Sequence, residues 1–382
     1  MEYRNLGKTG LKVSLLGMGC MRLPFIDNDG ANGVDLPAAF ELLNYAADHG
    51  INYFDTAFGY HGGQSEAILG EALEKRRKDL VYVTKQPFWE MHDTATIRRN
   101  LENTLKKLRT DYIDMYLLHR IMPPSWNDIK KREIFNALQK FKEEGLVRHV
   151  GFSYHGDAKT FEDVVQHYPW EMAKVQHNLL DQTREVTPSG VALAGKLGMG
   201  IAIMEPLRGG GLAHAPRVVK AVYDSAPQQR TPAEWAFRYL ANIPEISVIT
   251  SGMSNMEQLK QNLAMFDQPD MIANCLSPQE NEVIVNARKG YESIVTIPCT
   301  ACNYCIPCPA GVGIPNIFGL YNDAHRFEHF DQPKRAYMFA KNAKGDATHC
   351  TACGLCLEKC PQEINIIEDL KVAHNALDGW KE

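Results

Sequence analysis

The sequence predicts an α/β protein in which a (β/α)8 barrel precedes a small, mainly α-helical module that is rich in cysteine. Over the first 265 residues, runs rich in Val, Ile and Tyr alternate with amphipathic stretches, as strands and helices alternate in α/β folds. Eight of the ten cysteines lie in two short runs beyond residue 298. We therefore predict a barrel over residues 1–270, a linker helix over 271–298 and a cysteine-rich domain over 299–382.

Eight strand candidates can be read along the barrel region. Strand–helix units in this number favour a closed parallel barrel, with an open doubly wound sheet as the alternative. No GxGxxG motif follows the first strand, which argues against the open sheet. The candidates are, in chain order, VSLLGMG, INYFDT, LVYVTK, YIDMYLLH, RHVGFSY, AKVQHN, GIAIME and EISVITS.

Helices between the strands are predicted from capping residues and apolar spacing. One begins after Asp35, carries Pro37 in its first turn and stops at Gly50. Another helix begins after the barrel with a capping box from Ser277 to Glu280. A third has an apolar stripe, because its buried candidates recur every three or four residues: Ile97, Leu101, Leu105 and Leu108.

Bulk composition narrows the classes of function. A formal charge of -5 gives no reason to expect nucleic acid or an anionic membrane as a partner. The first residues, MEYRNLGKTGLKVS, contain no apolar signal core, and no apolar run is long enough to span a bilayer. We expect a cytoplasmic protein, in which clustered cysteines serve as metal ligands rather than in disulfides.

Four polar side chains are predicted at one rim of the barrel. In such barrels the active site lies where the strands end. The second strand ends at Asp55, with Tyr60 five residues later, the third ends at Lys85 and the fourth at His119. Each has an ordinary structural explanation alone, but together they make a proton-donating centre. Lys85 would lower the pKa of Tyr60, Asp55 would hold Lys85, and His119 would orient a carbonyl oxygen.

Several stretches carrying these residues resemble the aldo/keto reductase superfamily. They are GINYFDTAFGYHGGQSEAILGEAL, VTK, LLH, VQHN and GMSNMEQLKQN, and the resemblance covers roughly residues 3–265. It implies a (β/α)8 barrel, NADP or NAD as cofactor, and a catalytic tetrad at the four rim residues. It also implies cofactor contacts at Cys20, Ser153, Gln176, Met204, Leu207, Gly209, Gly252, Ser254, Gln258 and Asn262.

The sequence departs from the family pattern in the residues that would surround the cofactor. Met204 stands where an aromatic side chain often stacks on the nicotinamide. Uncharged Gly252 and Gln258 stand where Lys or Arg often holds the 2′-phosphate of NADPH. We expect a weakened preference for NADPH over NADH, unless Lys260 or Arg208 reaches the phosphate.

The two cysteine runs are spaced as iron–sulfur ligands. CTACNYCIPCPAG and CTACGLCLEKCPQE follow C-x2-C-x2-C-x2-C-P and C-x2-C-x2-C-x3-C-P, and the second matches bacterial ferredoxins. Zinc or disulfides are the alternatives. In two-cluster ferredoxins the fourth cysteine of each run ligates the other cluster. By that analogy, one [4Fe-4S] cluster takes Cys299, Cys302, Cys305 and Cys360, and the other takes Cys350, Cys353, Cys356 and Cys308.

Three functions are compatible with a reductase barrel joined to such a module. Barrels with this tail form a subgroup of the aldo/keto reductases, so the resemblance extends over nearly the whole chain. In the first function, hydride moves to or from a small carbonyl or alcohol, and the clusters relay single electrons to a ferredoxin-like partner. In the second, the clusters are structural. In the third, an inactive barrel serves in electron transfer or docking, which the complete tetrad disfavours.

Overall fold

The chain begins with a two-stranded hairpin that precedes the barrel. The structure is a computed structural model that describes residues 1–26, 33–183 and 185–379. Strands β1 (Tyr3–Asn5) and β2 (Lys12–Ser14) pair antiparallel. The first predicted strand, residues 13–19, is therefore wrong as one element, because its beginning belongs to this hairpin. Gly7 at φ +55 lies so close to the Gly200 amide that no Cβ fits there.

Eight parallel strands then close into a barrel, which confirms the predicted fold class. Each strand pairs with its neighbour in chain order, and the last pairs with the first. The strands are β3 (Leu16–Gly19), β4 (Tyr53–Asp55), β5 (Val81–Pro87), β6 (Ile113–Ile121), β7 (Val147–Tyr154), β8 (Met172–Gln176), β9 (Gly200–Met204) and β10 (Val248–Ser251).

Helices follow the barrel strands, as the apolar spacing predicts. The Asp35 carboxylate accepts a hydrogen bond from the Ala38 N–H and caps the first helix. The helices from there to the end of the barrel sequence are α1 (Leu36–Asp48), α2 (Ser65–Leu73), α3 (Thr94–Lys107), α4 (Pro123–Ile129), α5 (Ile134–Glu143), α6 (Ala158–His167), α7 (Pro188–Lys196), α8 (Arg217–Asp224), α9 (Pro232–Ala241) and α10 (Met256–Phe266).

Apolar side chains fill the half of the barrel interior that is nearest the amino ends of the strands. Strand residues Tyr53, Val83, Leu117 and Met172 are fully buried there, together with Leu6 from the hairpin. Successive strand residues face opposite sides of the strand. A residue two positions nearer the carboxyl end therefore also faces the barrel interior. The polar side chains at the rim therefore lie next to a layer of buried apolar side chains in the barrel interior.

The chain divides into two units, and the barrel strands all belong to the first. This unit comprises residues 1–206 and 236–277, and the second comprises 207–235 and 278–382. Helix α8 therefore belongs to the second unit, with α11 (Pro278–Ser293), α12 (Ile314–Arg326), α13 (Asp331–Asn342), α14 (Leu355–Lys359) and α15 (Ile366–Leu377).

In the part of the chain that the structure describes, no helix is both long enough and apolar enough to cross a membrane.

The second unit is built around its own apolar core. Ile317 and Phe318 from α12 and Leu370 from α15 are buried in it, and six of the eight clustered cysteines pack against this core. Val219 of α8 lies against Gly290 of α11, where an added Cβ would approach to 3.1 Å. The tail is thus mainly α-helical, as predicted, and contains no described β-strand.

Candidate active site

The four rim residues predicted from the sequence meet at the carboxyl ends of β4, β5 and β6. Lys85 Nζ donates to Asp55 Oδ1 at 2.7 Å, to the Thr56 carbonyl oxygen at 2.6 Å and to Tyr60 Oη at 3.2 Å. An ammonium has three N–H donors, so all three are directed at oxygen atoms. The His119 ring lies edge-on to the Tyr60 ring, with 6.1 Å between the centroids.

A short turn after β4 brings Tyr60 over this ammonium. The helical turn Tyr60–Gly63 contains His61 at φ +52 and Gly62 at φ +61, which are left-handed conformations. The left-handed turn redirects the chain towards α2 immediately after Tyr60. Tyr60, five residues after Asp55, therefore lies beside the end of the strand and precedes helix α2.

Lys174 of β8 is a fifth member of this centre that the sequence analysis missed. Its Nζ forms an ion pair with Asp55 Oδ2 at 2.8 Å and donates to Thr250 Oγ1 at 3.1 Å. Asp55, Lys85 and Lys174 are 2%, 1% and 3% exposed. A signal was available, because Lys174 precedes Gln176 by two residues and residues with that spacing share one face of a strand.

The pKa of Tyr60 departs from the expectation drawn from the sequence. Burial comes first and raises the pKa of Tyr60, Asp55 adds to that rise, and Lys174 opposes it. The predicted net lowering is therefore wrong for the free protein, because removal of water from the phenol outweighs the nearby ammonium charge. Burial also acts on Asp55, but the charges of Lys174 and Lys85 hold the pKa of that carboxyl below its usual range.

Two histidines at the rim are neutral in their buried surroundings. Burial, followed by the charge of Lys85, lowers the pKa of His119 to about 3. His155, directly after β7, was not predicted as a site residue. Burial, followed by the charges of Arg120 and Lys174, lowers its pKa to about 4. At neutral pH each imidazole therefore offers one N–H donor and one nitrogen acceptor.

The residues predicted to contact the nicotinamide end lie on neighbouring strands of the same rim. Ser153 Oγ accepts a hydrogen bond from the Arg120 N–H at 2.8 Å, so the hydroxyl can still donate its own hydrogen. Gln176 Nε2 donates to Asp181 Oδ2 at 3.2 Å, and Gln176 pairs in register with Met204. This set offers the donors and acceptors that a carboxamide needs.

Cys20 lies just after β3 and is fully buried. Its carbonyl oxygen accepts a hydrogen bond from Ser65 Oγ at 3.0 Å. Burial, with a smaller effect from Asp55, raises the pKa of the thiol. Cys20 is therefore an uncharged side chain beside the tetrad, at the position where the resemblance implies a cofactor contact.

The residues predicted for the adenosine end surround the N-terminus of α10. Gln258 Oε1 accepts from the Ser254 N–H at 2.9 Å, and Asn262 Nδ2 donates to Ser251 Oγ at 3.2 Å. Gly252 lies beside Arg22, whose Cδ would be 3.4 Å from an added Cβ. The Arg22 guanidinium is 4.0 Å from Glu205. Free backbone N–H groups at a helix N-terminus favour an anionic group.

Both cations that the sequence analysis considered for binding a 2′-phosphate contact other side chains in the structure. Lys260 Nζ lies over the Tyr45 ring, 5.3 Å from its centroid. Arg208 belongs to the second unit and pairs with Asp323 of α12 at 2.9 Å. Leu207 and Gly209, predicted along the cofactor phosphates, also belong to that unit.

Two cavities in the second unit bring the eight clustered cysteines into groups. One is lined by Cys299, Cys302 and Cys305 of the first run and by Cys360 of the second. The other is lined by Cys350, Cys353 and Cys356 of the second run and by Cys305 and Cys308 of the first.

The lining of these cavities fits iron–sulfur clusters. Burial first, and then the neighbouring thiols of Cys299 and Cys302, raise the pKa of Cys305. Burial first, and then Cys350 and Cys353, raise the pKa of Cys356. Four cysteine thiolates are the usual ligand set of a [4Fe-4S] cluster, and the lining of each cavity supplies at least that number. No three described Cys, His, Asp or Glu side chains converge on one metal-ion position.

Comparisons with known proteins assign two families to the chain. The aldo/keto reductase family model matches residues 15–274, and the 4Fe-4S dicluster domain model matches residues 298–365. An uncharacterized oxidoreductase of Bacillus subtilis, YqkF, is 28% identical over 296 residues, which are 69% of this chain and 90% of that protein. The L-galactose dehydrogenase of Arabidopsis thaliana is 31% identical over 292 residues, which are 69% of this chain and 88% of that enzyme.

Solved structures give the same result for the barrel. Aldo-keto reductase AKR11C1 from Bacillus halodurans, in its holo form, superposes with a TM-score of 0.63 and 26% identity. The match covers 75% of this chain and 96% of that one. Because the family model spans most of the chain and the tetrad is assembled at the rim, the chain belongs to the aldo/keto reductase family of oxidoreductases and carries a C-terminal 4Fe-4S dicluster domain.

Proposed function

We propose that the barrel is an NAD(P)H-dependent oxidoreductase that interconverts a small carbonyl compound and its alcohol. The observation that carries this proposal is the 3.2 Å hydrogen bond from the Lys85 ammonium to Tyr60 Oη. A phenol whose oxygen accepts from an ammonium can release its proton more readily than one without that partner. The site therefore contains a positioned proton donor beside the predicted nicotinamide contacts.

In the reductive direction, the chain supplies the proton and the orientation. Tyr60 donates its proton to the oxygen that becomes the alcohol, and Lys85 stabilises the phenolate that remains. Neutral His119 donates an N–H to the same carbonyl oxygen and fixes its direction. A bound nicotinamide supplies the hydride in this reaction. Ser153 and Gln176 would hold its carboxamide, and the N-terminus of α10 would receive the adenosine phosphate end.

We propose that two [4Fe-4S] clusters, ligated in the crossed pattern, provide one-electron relay sites for a ferredoxin-like partner. Each cavity is lined by the first three cysteines of one run together with the fourth cysteine of the other, and Cys305 lines both cavities. The position of the two fourth cysteines supports crossed ligation. A structural role is the second candidate. It is favoured by the packing of Cys299, Cys308 and Cys350 against the core of the second unit, where ligation would tie the two runs together.

The decisive experiment is anaerobic. The iron-loaded protein is mixed with NADH or NADPH while the visible absorbance of the clusters is followed. Rapid bleaching that needs no carbonyl compound supports the relay. Carbonyl-dependent cofactor oxidation with unchanged clusters supports a reductase with structural clusters. Failure to oxidise either cofactor with a broad panel of carbonyl compounds and one-electron acceptors would contradict both and leave a docking protein.

A further inference from the structure

The barrel centre contains one more ammonium than a four-residue tetrad requires. Lys174 Nζ lies 2.8 Å from Asp55 Oδ2, and Lys85 Nζ lies 2.7 Å from Asp55 Oδ1. One carboxylate is thus shared between two ammonium groups. When all three side chains are ionised, the group carries one net positive charge in a region where the side chains are almost fully buried.

Packing alone does not account for a lysine at this position. Moving an ammonium out of water costs free energy that an apolar side chain of the same length avoids. Burial lowers the pKa of Lys174 despite the opposing effect of Asp55, so the site does not favour an ammonium by itself. The property that distinguishes Lys174 from an apolar filler is therefore its charge, which the Asp55 carboxylate and Thr250 Oγ1 hold in place.

We propose that Lys174 is a positioning residue of the proton-donating centre, which engages one oxygen of Asp55 and leaves the positive charge of Lys85 incompletely neutralised beside Tyr60. In a simple pair, the Asp55 carboxylate would cancel most of the field that Lys85 exerts on the phenol. Shared between two ammonium groups, it cancels about half of their combined charge. The remaining positive charge favours the phenolate and a developing alkoxide, and so favours reduction.

This inference rests on the proposed function only for its consequence in catalysis. The electrostatic claim concerns the phenol alone and can be measured without turnover. Other ionisable groups also face Tyr60, and none of them needs to change in the test. The groups that act on the phenol are Asp55 and Tyr53 of β4, Lys85 of β5, Lys174 of β8, Cys20 after β3, Glu205 after β9 and the edge-on ring of His119.

The test places a tetrafluorinated tyrosine, whose phenol is far more acidic than that of tyrosine, at position 60 of the cluster-loaded protein and follows its ¹⁹F resonance against pH. The resonance reports the ionisation of this one ring. We expect Lys174→Met to raise the titration midpoint by about one pH unit or more, because a nearby positive charge is removed. Lys174→Arg and Thr250→Val keep the charge, so we expect them to shift the midpoint by less than about 0.3 pH unit. An unchanged midpoint in Lys174→Met overturns the proposal.

A second measurement covers the case in which Lys174→Met does not fold. The ζ-nitrogen of Lys174 is observed by ¹⁵N NMR in otherwise wild-type protein and assigned by its loss in Lys174→Arg. A charged ammonium at pH 7 is expected, and a neutral amine overturns the proposal. If the protein reduces no carbonyl compound, the proposed function fails while both titrations still decide the role of Lys174.

Discussion

Lys85 Nζ lies 3.2 Å from Tyr60 Oη and 2.7 Å from Asp55 Oδ1, so one ammonium connects the proton donor to its counterion. Its third N–H is directed at the Thr56 carbonyl oxygen at 2.6 Å. A buried ammonium whose three donors are all engaged has little freedom to rotate away from the phenol.

Replacing Lys85 with Met should abolish most activity without unfolding the protein. The ammonium that stabilises the Tyr60 phenolate is lost, so we expect kcat to fall by about 10²- to 10⁴-fold. Asp55 keeps Lys174 as a partner at 2.8 Å, so the stability loss should stay below the roughly 3–5 kcal/mol of a stranded buried charge. Steady-state kinetics and denaturant unfolding measure the two effects, with exposed Lys220→Met as the control. Wild-type kcat in the Lys85 variant would contradict the role assigned to the ammonium.

His119 should make the protein less stable in mild acid. Its pKa is lowered to about 3 in the folded state, whereas an unfolded histidine titrates near 6.5. Below pH 6.5 the histidine binds a proton in the unfolded state but not in the folded state, so the free energy of unfolding falls as the pH falls towards 3. Between pH 7 and pH 5, the free energy of unfolding of the His119→Gln variant should fall by about 1 to 2 kcal/mol less than that of the wild type. Exposed His92→Gln is the matched control, and equal slopes for all three proteins would show that His119 is not held neutral.

The cofactor preference should be weak. The turn after β10 offers uncharged Gly252 and Gln258, while Lys260 lies over Tyr45. Arg22, the cation beside Gly252, is 4.0 Å from the Glu205 carboxylate, and a cation that is already paired with a carboxylate adds little binding free energy for a 2′-phosphate. We expect dissociation constants for NADH and NADPH within about tenfold of each other, and Gln258→Arg to tighten NADPH selectively. Fluorescence titration measures both, and NADPH binding a hundredfold tighter than NADH in the wild type refutes the expectation.

Exchanging the fourth cysteine of either run should remove the cluster of the other run. Cys360 lines the cavity of the first run, and Cys308 lines the cavity of the second. Each serine variant should keep about four of roughly eight iron atoms per chain. The two variants should lose different EPR signals, and Cys275→Ser, outside both cavities, should lose none. If Cys360→Ser instead removes the cluster held by Cys350, Cys353 and Cys356, the ligation is not crossed.

Much of this arrangement could be predicted because it depends on local periodicity and on strand ends. Strands with Val, Ile and Tyr alternate with capped helices, and the order of the units fixes a closed parallel barrel. Asp55, Lys85 and His119 lie at the carboxyl end of consecutive strands or two residues before it, so parallel pairing alone brings them to one rim. The eight cysteines could likewise be predicted as cluster ligands, because their spacing lies within two short runs of the sequence.

The remainder depends on contacts between residues far apart in the chain. Lys174 reaches Asp55 across the barrel, from a strand 119 residues further along the chain. The face of β8 on which Lys174 lies could be inferred from the sequence, but its ion pair with Asp55 could not. The pKa of Tyr60 was predicted in the wrong direction because a sequence reveals neighbouring charges more readily than the loss of water around a side chain. The hairpin strand β2 was merged with β3 because only Leu15 separates them and the apolar residues Val13, Leu15 and Leu16 continue across the junction.

The central claim is tested most directly by following a deuterium label from cofactor to product. NADH and NADPH carrying deuterium at the transferable C4 position are incubated anaerobically with a panel of aldehydes and ketones, using the wild type and Tyr60→Phe. We predict alcohol product with deuterium on its carbinol carbon from the wild type, and a loss of about 10²-fold or more in Tyr60→Phe, which retains cofactor binding. Undiminished labelled product from Tyr60→Phe, or cofactor oxidation by the wild type without any labelled alcohol, would contradict it.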